Sequence, residues 1–323
     1  MRKSDLLSLG NYDEIQQAWR SNPHHGQYLS STKFWDTKIR QYKPEERQDL
    51  FYLSVENDYL NFVIALLRDS NVDPSGDDNY AIRTAAFNGY KEMCRVLLSD
   101  QRVDPTVDGN YCVSVVSDHN DAELTGMFLS ASKKVDPSVD DNILIQKAVK
   151  ANNYEMVQLL LSDPRTNPAV NNNALAVHCV ETDNKHLLSL LLSSGKIDLS
   201  VQDNHCFHHA VQHLDDEMIL LVLSDRKVDP NSRGGVGMLH CVIKGKDSTL
   251  FLLCSDHRTD PSIHQQKIFN NACGKGAFDA VRILLGSGKI EPQLNNSKAL
   301  KLANKGGHSD VVTYLLQDGR SSF

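Results

Sequence analysis

The stretch VDPSGDDNYAIRTAAFNGYKEMCRVLLSDQR, residues 72–102, contains two short apolar segments, each preceded by residues that favour turns. Because proline fixes its own φ, the pair Asp73-Pro74 predicts a turn, and Asn79 stands where it can cap a first helix. Gly89 follows the first apolar segment and tolerates the left-handed conformation that often ends a helix. The stretch therefore predicts a turn, a helix, a second turn and a second helix.

The same pattern recurs along most of the chain, and its Val-Asp-Pro turn gives the period. Successive turns are 31 residues apart, except for one interval of 32 with an extra residue between Leu129 and Val135. The third residue of each turn is Pro74, Pro105, Pro137, Pro168, Leu199, Pro230, Pro261 or Pro292. This regularity excludes two unrelated globular domains, which a length of 323 residues would otherwise suggest, and indicates a repeat protein.

Two further positions repeat within each unit. Eleven residues after each turn residue lies a small side chain that allows helices to approach closely: Ala85, Val116, Ala148, Cys179, Ala210, Cys241, Ala272 and Ala303. Fifteen residues after it lie types that tolerate a left-handed helix end, with Leu214 as the exception: Gly89, Asn120, Asn152, Asp183, Gly245, Gly276 and Gly307. Apolar residues of the second helix are spaced by three and four, as at Met156, Val157 and Leu160, so one face of each helix should be buried.

The composition restricts the class of protein. The sequence contains no run of about 18 apolar residues, the length that a helix needs to span a bilayer. Charge and glycine interrupt the N-terminal MRKSDLLSLGNYDEI too early for a signal peptide. The seven cysteines are an odd number without a repeated C-x-x-C, which favours free thiols and a cytoplasmic or nuclear protein. The net charge of −7 argues against nucleic acid and membranes as partners.

The repeats resemble the ankyrin family. The segment KALKLANKGGHSDVVTYLLQDG, residues 298–319, is similar to the family pattern T-P-L-H-x-A-x-x-G-H-x-x-V-V-x-L-L-L-x-x-G. The resemblance covers residues 44–323 and implies an all-α solenoid of about nine helix-turn-helix units, the first of them at residues 46–70 and without the asparagine. Because the family's period is about 33 residues, it also implies short hairpin or turn fingers between units. Tetratricopeptide and armadillo repeats are disfavoured because their periods are longer and they lack the Asp-Pro turn.

The resemblance also implies a function and a site. Ankyrin repeats bind proteins through the concave face of the solenoid, so we expect a non-enzymatic, monomeric interaction scaffold with a protein partner. The implied contact residues follow the small residues of the first helices: Phe87, Asn88, Asp118, His119, Lys150, Glu181, Thr182, Gln212, His213, Ile243, Lys244 and Lys275. The residue type at these positions varies from repeat to repeat, which is typical of a recognition surface. Random sequence change on a solvent-exposed surface would produce the same variation. Phe87 is the strongest candidate because aromatic residues often anchor interfaces.

Metal binding and catalysis are weaker hypotheses. The segment HCFHHAVQH, residues 205–213, looks like a set of zinc ligands. The repeat register instead places His178, His209 and His240 at the same position of successive repeats, about 8–10 Å apart. Zinc needs its histidine nitrogens to converge to about 2.0–2.1 Å from the metal ion. The Asp-Asn runs lack the twelve-residue ligand pattern of a calcium loop. No nucleotide-binding, zinc-protease or hydrolase motif occurs, so we expect no enzyme, no metal and no cofactor. A metal-dependent switch or enzyme built on the His and Cys units is kept as the competing class.

Residues 1–43 precede the repeats and contain both tryptophans. We interpret them as an N-terminal helical cap, in which Trp19, Phe34 and Trp35 cover the open end of the first repeat. The segment YDEIQQAWRSNPHHGQYLSSTKFWDTKI, residues 12–39, also resembles the second half of an F-box, although the Leu-Pro and first helix of that family are absent. This resemblance implies an alternative function, in which the chain is a ubiquitin-ligase substrate receptor and the N-terminal segment docks an adaptor.

Overall fold

The computed structural model describes residues 39–40 and 42–318, apart from the side chains of Gln265 and Asn296. The cap predicted for residues 1–43, with Trp19, Phe34 and Trp35, and the F-box resemblance lie almost entirely outside the described residues. The described chain forms helices and turns, and no strand occurs in it. The fingers between units are therefore turns, and the hairpin alternative is wrong for this part of the chain.

Contacts divide the chain into two compact units, Met1–Asn167 and Pro168–Phe323. Within the first unit, a short 3-10 helix at Pro44–Glu46 precedes eight helices: α1 Arg47–Glu56, α2 Leu60–Leu66, α3 Gly76–Asn88, α4 Lys91–Leu98, α5 Val107–Asp118, α6 Ala122–Ala131, α7 Val139–Lys150 and α8 Tyr154–Leu161. The second unit contains α9 Val170–Glu181, α10 Lys185–Ser193, α11 Val201–His213, α12 Asp216–Leu223, α13 Ser232–Lys244, α14 Asp247–Ser255, α15 Ile263–Lys275, α16 Phe278–Gly286, α17 Leu294–Lys305 and α18 Ser309–Gln317.

Each unit consists of successive helix pairs. The first helix of a pair packs on its own second helix and, within the unit, on the first helix of the next pair. The predicted pattern of small and apolar positions is confirmed, because the small residues of the first helices are all buried and Met156, Val157 and Leu160 lie in the core. This is a helical, repeat-like all-α fold in which each pair completes the core of its neighbour.

The first helices end as the sequence predicts. The first or second residue after the helix adopts a left-handed conformation at Gly89, Asn120, Asn152, Asp183, Gly245, Gly276 and Gly307. Leu214, the exception by residue type, adopts it as well, with φ 57° and ψ 38°. The geometry of the repeat therefore overrides the preference of leucine at this position.

The fingers contain a short left-handed helical turn. In α3, three consecutive residues, Asp77, Asp78 and Asn79, have φ between 50° and 56°. Equivalent triplets lie at 108–110, 140–142, 171–173, 202–204 and 233–235. A left-handed residue costs about 1–2 kcal/mol for most side chains and less for glycine, asparagine and aspartate. This cost explains why the fingers are rich in those three types.

The repeated asparagines join neighbouring pairs. The prediction that Asn79 caps its own helix is wrong, because its Oδ1 accepts a hydrogen bond from the backbone N–H of Asp104 in the next repeat. Equivalent bonds run from Asn110 to Asp136, from Asn142 to Asn167, from Asn173 to Asp198 and from Asn204 to Asp229. Gln48 replaces the asparagine in the first pair, accepting from the Asp73 N–H at 2.8 Å and donating to its carbonyl at 2.9 Å.

Candidate functional site: the exposed ends of the first helices

The candidate contact residues lie beside the core positions of the same helices. Ala86 in α3 is fully buried, whereas the next residue, Phe87, is 62% exposed. All twelve predicted contact residues are exposed in the same way, at the C-terminal ends of α3, α5, α7, α9, α11, α13 and α15 or one residue beyond. We call these twelve residues the first-helix face. The helix packing fixes their positions because the residues immediately before them are in the core.

In the first unit, the structure brings Phe87 and His119 together. His119 Nε2 lies 3.1 Å from the carbonyl oxygens of Ala86 and Phe87, so its ring caps the end of the preceding first helix. Asp118 pairs with Lys147 at 2.5 Å, and Asn88 bonds to its own helix through Thr84. His119 therefore has a structural role, while Phe87 presents an open aromatic surface.

In the second unit, members of the first-helix face contact one another, a neighbouring first helix or their own helix. Glu181 lies 3.1 Å from His205, and Lys275 Nζ lies 3.5 Å from the Ile243 carbonyl. Thr182 bonds to the backbone of its own helix. Ile243 is 49% exposed, which leaves about half of the residue open to solvent. Ile243 and Lys244 thus offer an apolar and a cationic contact side by side.

The histidines of α11 form a stack along one helix. The ring centroids of His209 and His213 are 4.5 Å apart, and those of His205 and His209 are 6.1 Å apart. Burial lowers the pKa of His209, helped by the positive charges of His213 and His205 and opposed by Glu181. Burial also lowers the pKa of His208, whose Nε2 lies 3.0 Å from the Ser232 hydroxyl. No group of three or more His, Cys, Asp or Glu side chains in the described part of the chain is arranged to hold a metal ion.

The cysteines are free thiols, and six of the seven are buried. Burial raises the pKa to about 12 at Cys94, Cys112, Cys179, Cys206, Cys241 and Cys273. Burial likewise raises the pKa of the half-buried Cys254 to about 11. Because the thiolate is the reactive form, these side chains act as small core residues.

A basic cleft lies between α15 and α17. It has a volume of about 540 Å³, and its lining includes Lys267, Lys275, Lys298, Asn270, Asn271 and Leu302. Of these lining residues, only Lys275 was among the predicted contact residues, because it lies at the C-terminal end of a first helix. The signal that could have revealed the others is the charge of whole helices: α13, α15 and α17 contain no aspartate or glutamate.

Apolar side chains on two second helices are also exposed. Leu220 in α12 is 57% exposed and Phe251 in α14 is 63% exposed. They occupy the same position in successive units, 21 residues after Leu199 and Pro230. They could not be predicted from the sequence, because the periodic pattern of a second helix does not distinguish this position from the core.

Comparisons with known proteins add no relative. No protein-family model matches the chain, and a search of curated proteins finds no significant match. None of the helices in the described part of the chain combines the length and the apolar character needed to cross a bilayer.

Proposed function

We propose that this chain is a variant ankyrin-type repeat protein that binds a protein partner through the first-helix face and catalyses no reaction. The observation that carries the proposal is the contrast between neighbouring positions. The recurring small residues are buried in every first helix, and the variable residues that follow them are exposed. In repeat proteins, core positions that recur in every repeat support an extended binding surface, whose exposed residues differ from repeat to repeat.

The departures from the ankyrin pattern concern the fingers. The chain has a period of 31 residues and a left-handed turn where the family has a hairpin. The turn and the asparagine bonds hold successive pairs in register, so the first-helix face does not depend on a hairpin for its geometry. Phe87 and Ile243 supply apolar anchors in the two units, and exposed aromatic and aliphatic side chains are frequent centres of interfaces.

A pull-down with matched variants tests the proposal. One variant carries Phe87→Glu and Ile243→Glu on the first-helix face, and the control carries Leu220→Glu and Phe251→Glu on the second helices, at similarly exposed positions. Both should fold like the unaltered chain, as checked by circular dichroism and thermal melting. We expect quantitative mass spectrometry to show partners lost from the first variant and retained by the control. Equal retention by both variants would contradict the proposal.

A further inference from the structure

We propose that the basic cleft between α15 and α17 binds an acidic segment of a protein partner. The inference rests on the proposed function, since it names the chemistry of the partner around Lys275, which belongs to the first-helix face. Three observations support it: the distribution of charge along the first helices, the spacing of the lysines, and the contacts that the lysine side chains make.

The charge of the first helices changes sign along the chain. The five helices α3, α5, α7, α9 and α11 contain the acids Asp77, Asp78, Asp108, Asp118, Asp140, Asp141, Glu181 and Asp203 and the bases Arg83, Lys147 and Lys150. The three helices α13, α15 and α17 contain no acid and have the bases Arg233, Lys244, Lys267, Lys275, Lys298, Lys301 and Lys305. This concentration of cations occurs in a chain whose net charge is −7, so it is a local feature and does not follow from the composition.

The lysines stand in register on neighbouring helices. Lys267 and Lys298 each lie six residues after the turn proline of their unit, and Lys244 and Lys275 each lie fourteen residues after theirs. Packed helices are about 8–10 Å apart. Acidic side chains three residues apart on a peptide in the polyproline II conformation lie on one side of the peptide and are about 9 Å apart. An extended acidic segment that crosses the helices can therefore place one carboxylate near each lysine of a pair.

The ammonium groups of the cleft are available. Among the described residues, Lys267 and Lys298 form no ion pair, and Lys275 has only the 3.5 Å contact with the Ile243 carbonyl. Arg233, by contrast, is paired with Asp203 at 2.8 Å. Asn270 and Asn271 line the cleft beside the lysines, with the Asn271 amide donating to the Lys267 carbonyl at 2.8 Å, and Leu302 provides an apolar contact. These groups suit a peptide, which presents backbone amides and aliphatic carbon as well as carboxylates.

A protein segment fits better than a nucleic acid. Duplex DNA carries one negative charge per about 1.7 Å along its axis and gains affinity from many contacts to phosphates. The acids of the other first helices and the net charge of the chain oppose such a polyanion. A short acidic segment needs only the cleft.

The test is fluorescence anisotropy with the full chain and labelled 12-residue peptides. The probe peptide alternates Glu with Ser and Gly, and the matched peptide has Gln in place of Glu. We expect binding of the Glu peptide that weakens at least tenfold in a Lys267→Glu, Lys298→Glu variant. The neutral Lys267→Gln, Lys298→Gln variant should lose less. A Lys133→Glu, Lys134→Glu variant changes the net charge equally at exposed positions in the other unit and should bind within twofold of the unaltered chain.

Three results would overturn the inference. They are equal binding of the Glu and Gln peptides, equal affinities for the cleft and control variants, and tighter binding of a single-stranded oligonucleotide or of phosphatidylserine vesicles than of the Glu peptide. The proposed function is judged separately. If the Glu peptide fails while the Phe87→Glu, Ile243→Glu variant still loses its partners, only the acidic chemistry is wrong. If that variant retains its partners, the first-helix face itself is wrong.

Discussion

The side-chain Oδ1 of Asn79 accepts a hydrogen bond from the backbone N–H of Asp104 at 2.7 Å, across 25 residues of sequence. The same side chain occupies a left-handed position at which most residues are strained. One asparagine thus satisfies two requirements, a finger conformation and a bond to the next unit. Glycine could meet only the first requirement, so the second explains why a side chain with an oxygen acceptor recurs at this position.

Replacement of Asn142 separates these two contributions. Its Oδ1 accepts from the Asn167 N–H at 2.6 Å. We expect Asn142→Ala to lower the free energy of unfolding by about 2–3 kcal/mol, roughly 1 kcal/mol from the lost bond and the rest from alanine in a left-handed conformation. Asn142→Gly should lose mainly the bond, and Asn142→Asp should stay within about 1 kcal/mol because it keeps an acceptor. Urea denaturation measures all three, and equal effects of Ala and Asp would refute the assignment.

Leu214 is expected to be a site of stored backbone strain. Leu214→Asn, which introduces the type found at Asn120 and Asn152, should raise the free energy of unfolding by about 1 kcal/mol, since it relieves the left-handed penalty of leucine. Gly245 occupies the equivalent left-handed position of the next repeat and allows the opposite substitution. A Cβ added there would contact nothing within 4 Å, so no steric clash would add to the backbone strain. Gly245→Leu should therefore lower stability by about 1–2 kcal/mol through backbone strain alone. Thermal melts that order the pair the other way would show that contacts of Leu214 outweigh its conformation.

Arg258 links one repeat to the preceding repeat within the second unit. It donates to the carbonyls of Leu223 at 2.8 Å and Val228 at 3.1 Å while paired with Asp256. Arg258→Ala should cost about 2–3 kcal/mol, because several charged hydrogen bonds are lost together. Arg258→Lys should retain part of this energy, since Lys289, at the equivalent position, reaches two carbonyls of its preceding unit. The exposed Arg226 is the control, and Arg226→Ala is expected within about 0.5 kcal/mol of the unaltered chain in the same denaturation experiment.

The histidines of α11 predict acid sensitivity near neutral pH. Burial lowers the pKa of His208 and His209 below the ordinary value of 6.5, so folding favours their neutral forms. Their contribution to stability is present above pH 6.5 and is lost as the pH falls through the folded pKa values. We expect a lower melting temperature at pH 5.5 than at pH 7.5, and a smaller difference in a His208→Gln, His209→Gln variant. An unchanged difference would assign the pH dependence to other groups.

The sequence predicted the helix pairs, the buried small positions and the left-handed helix ends, because each depends on residues within one unit. It could not predict the partner of Asn79, since that bond forms only when the next unit is in place. Nor could it show that Gln48 takes the same role in the first pair. The basic cleft was missed for a related reason: Lys267 and Lys298 lie in different repeats, and only packing of α15 on α17 makes them neighbours.

The hydrogen bonds between successive repeats have a consequence for how the chain folds. The hydrogen bonds from Arg102 to Leu67 and from Arg258 to Leu223 connect neighbouring repeats and span only 35 residues. Contacts this local require little loop closure, which favours fast folding and lets structure begin at more than one place and spread to adjacent units. During synthesis, each helix pair would find its partner as soon as the next unit emerges, long before translation ends.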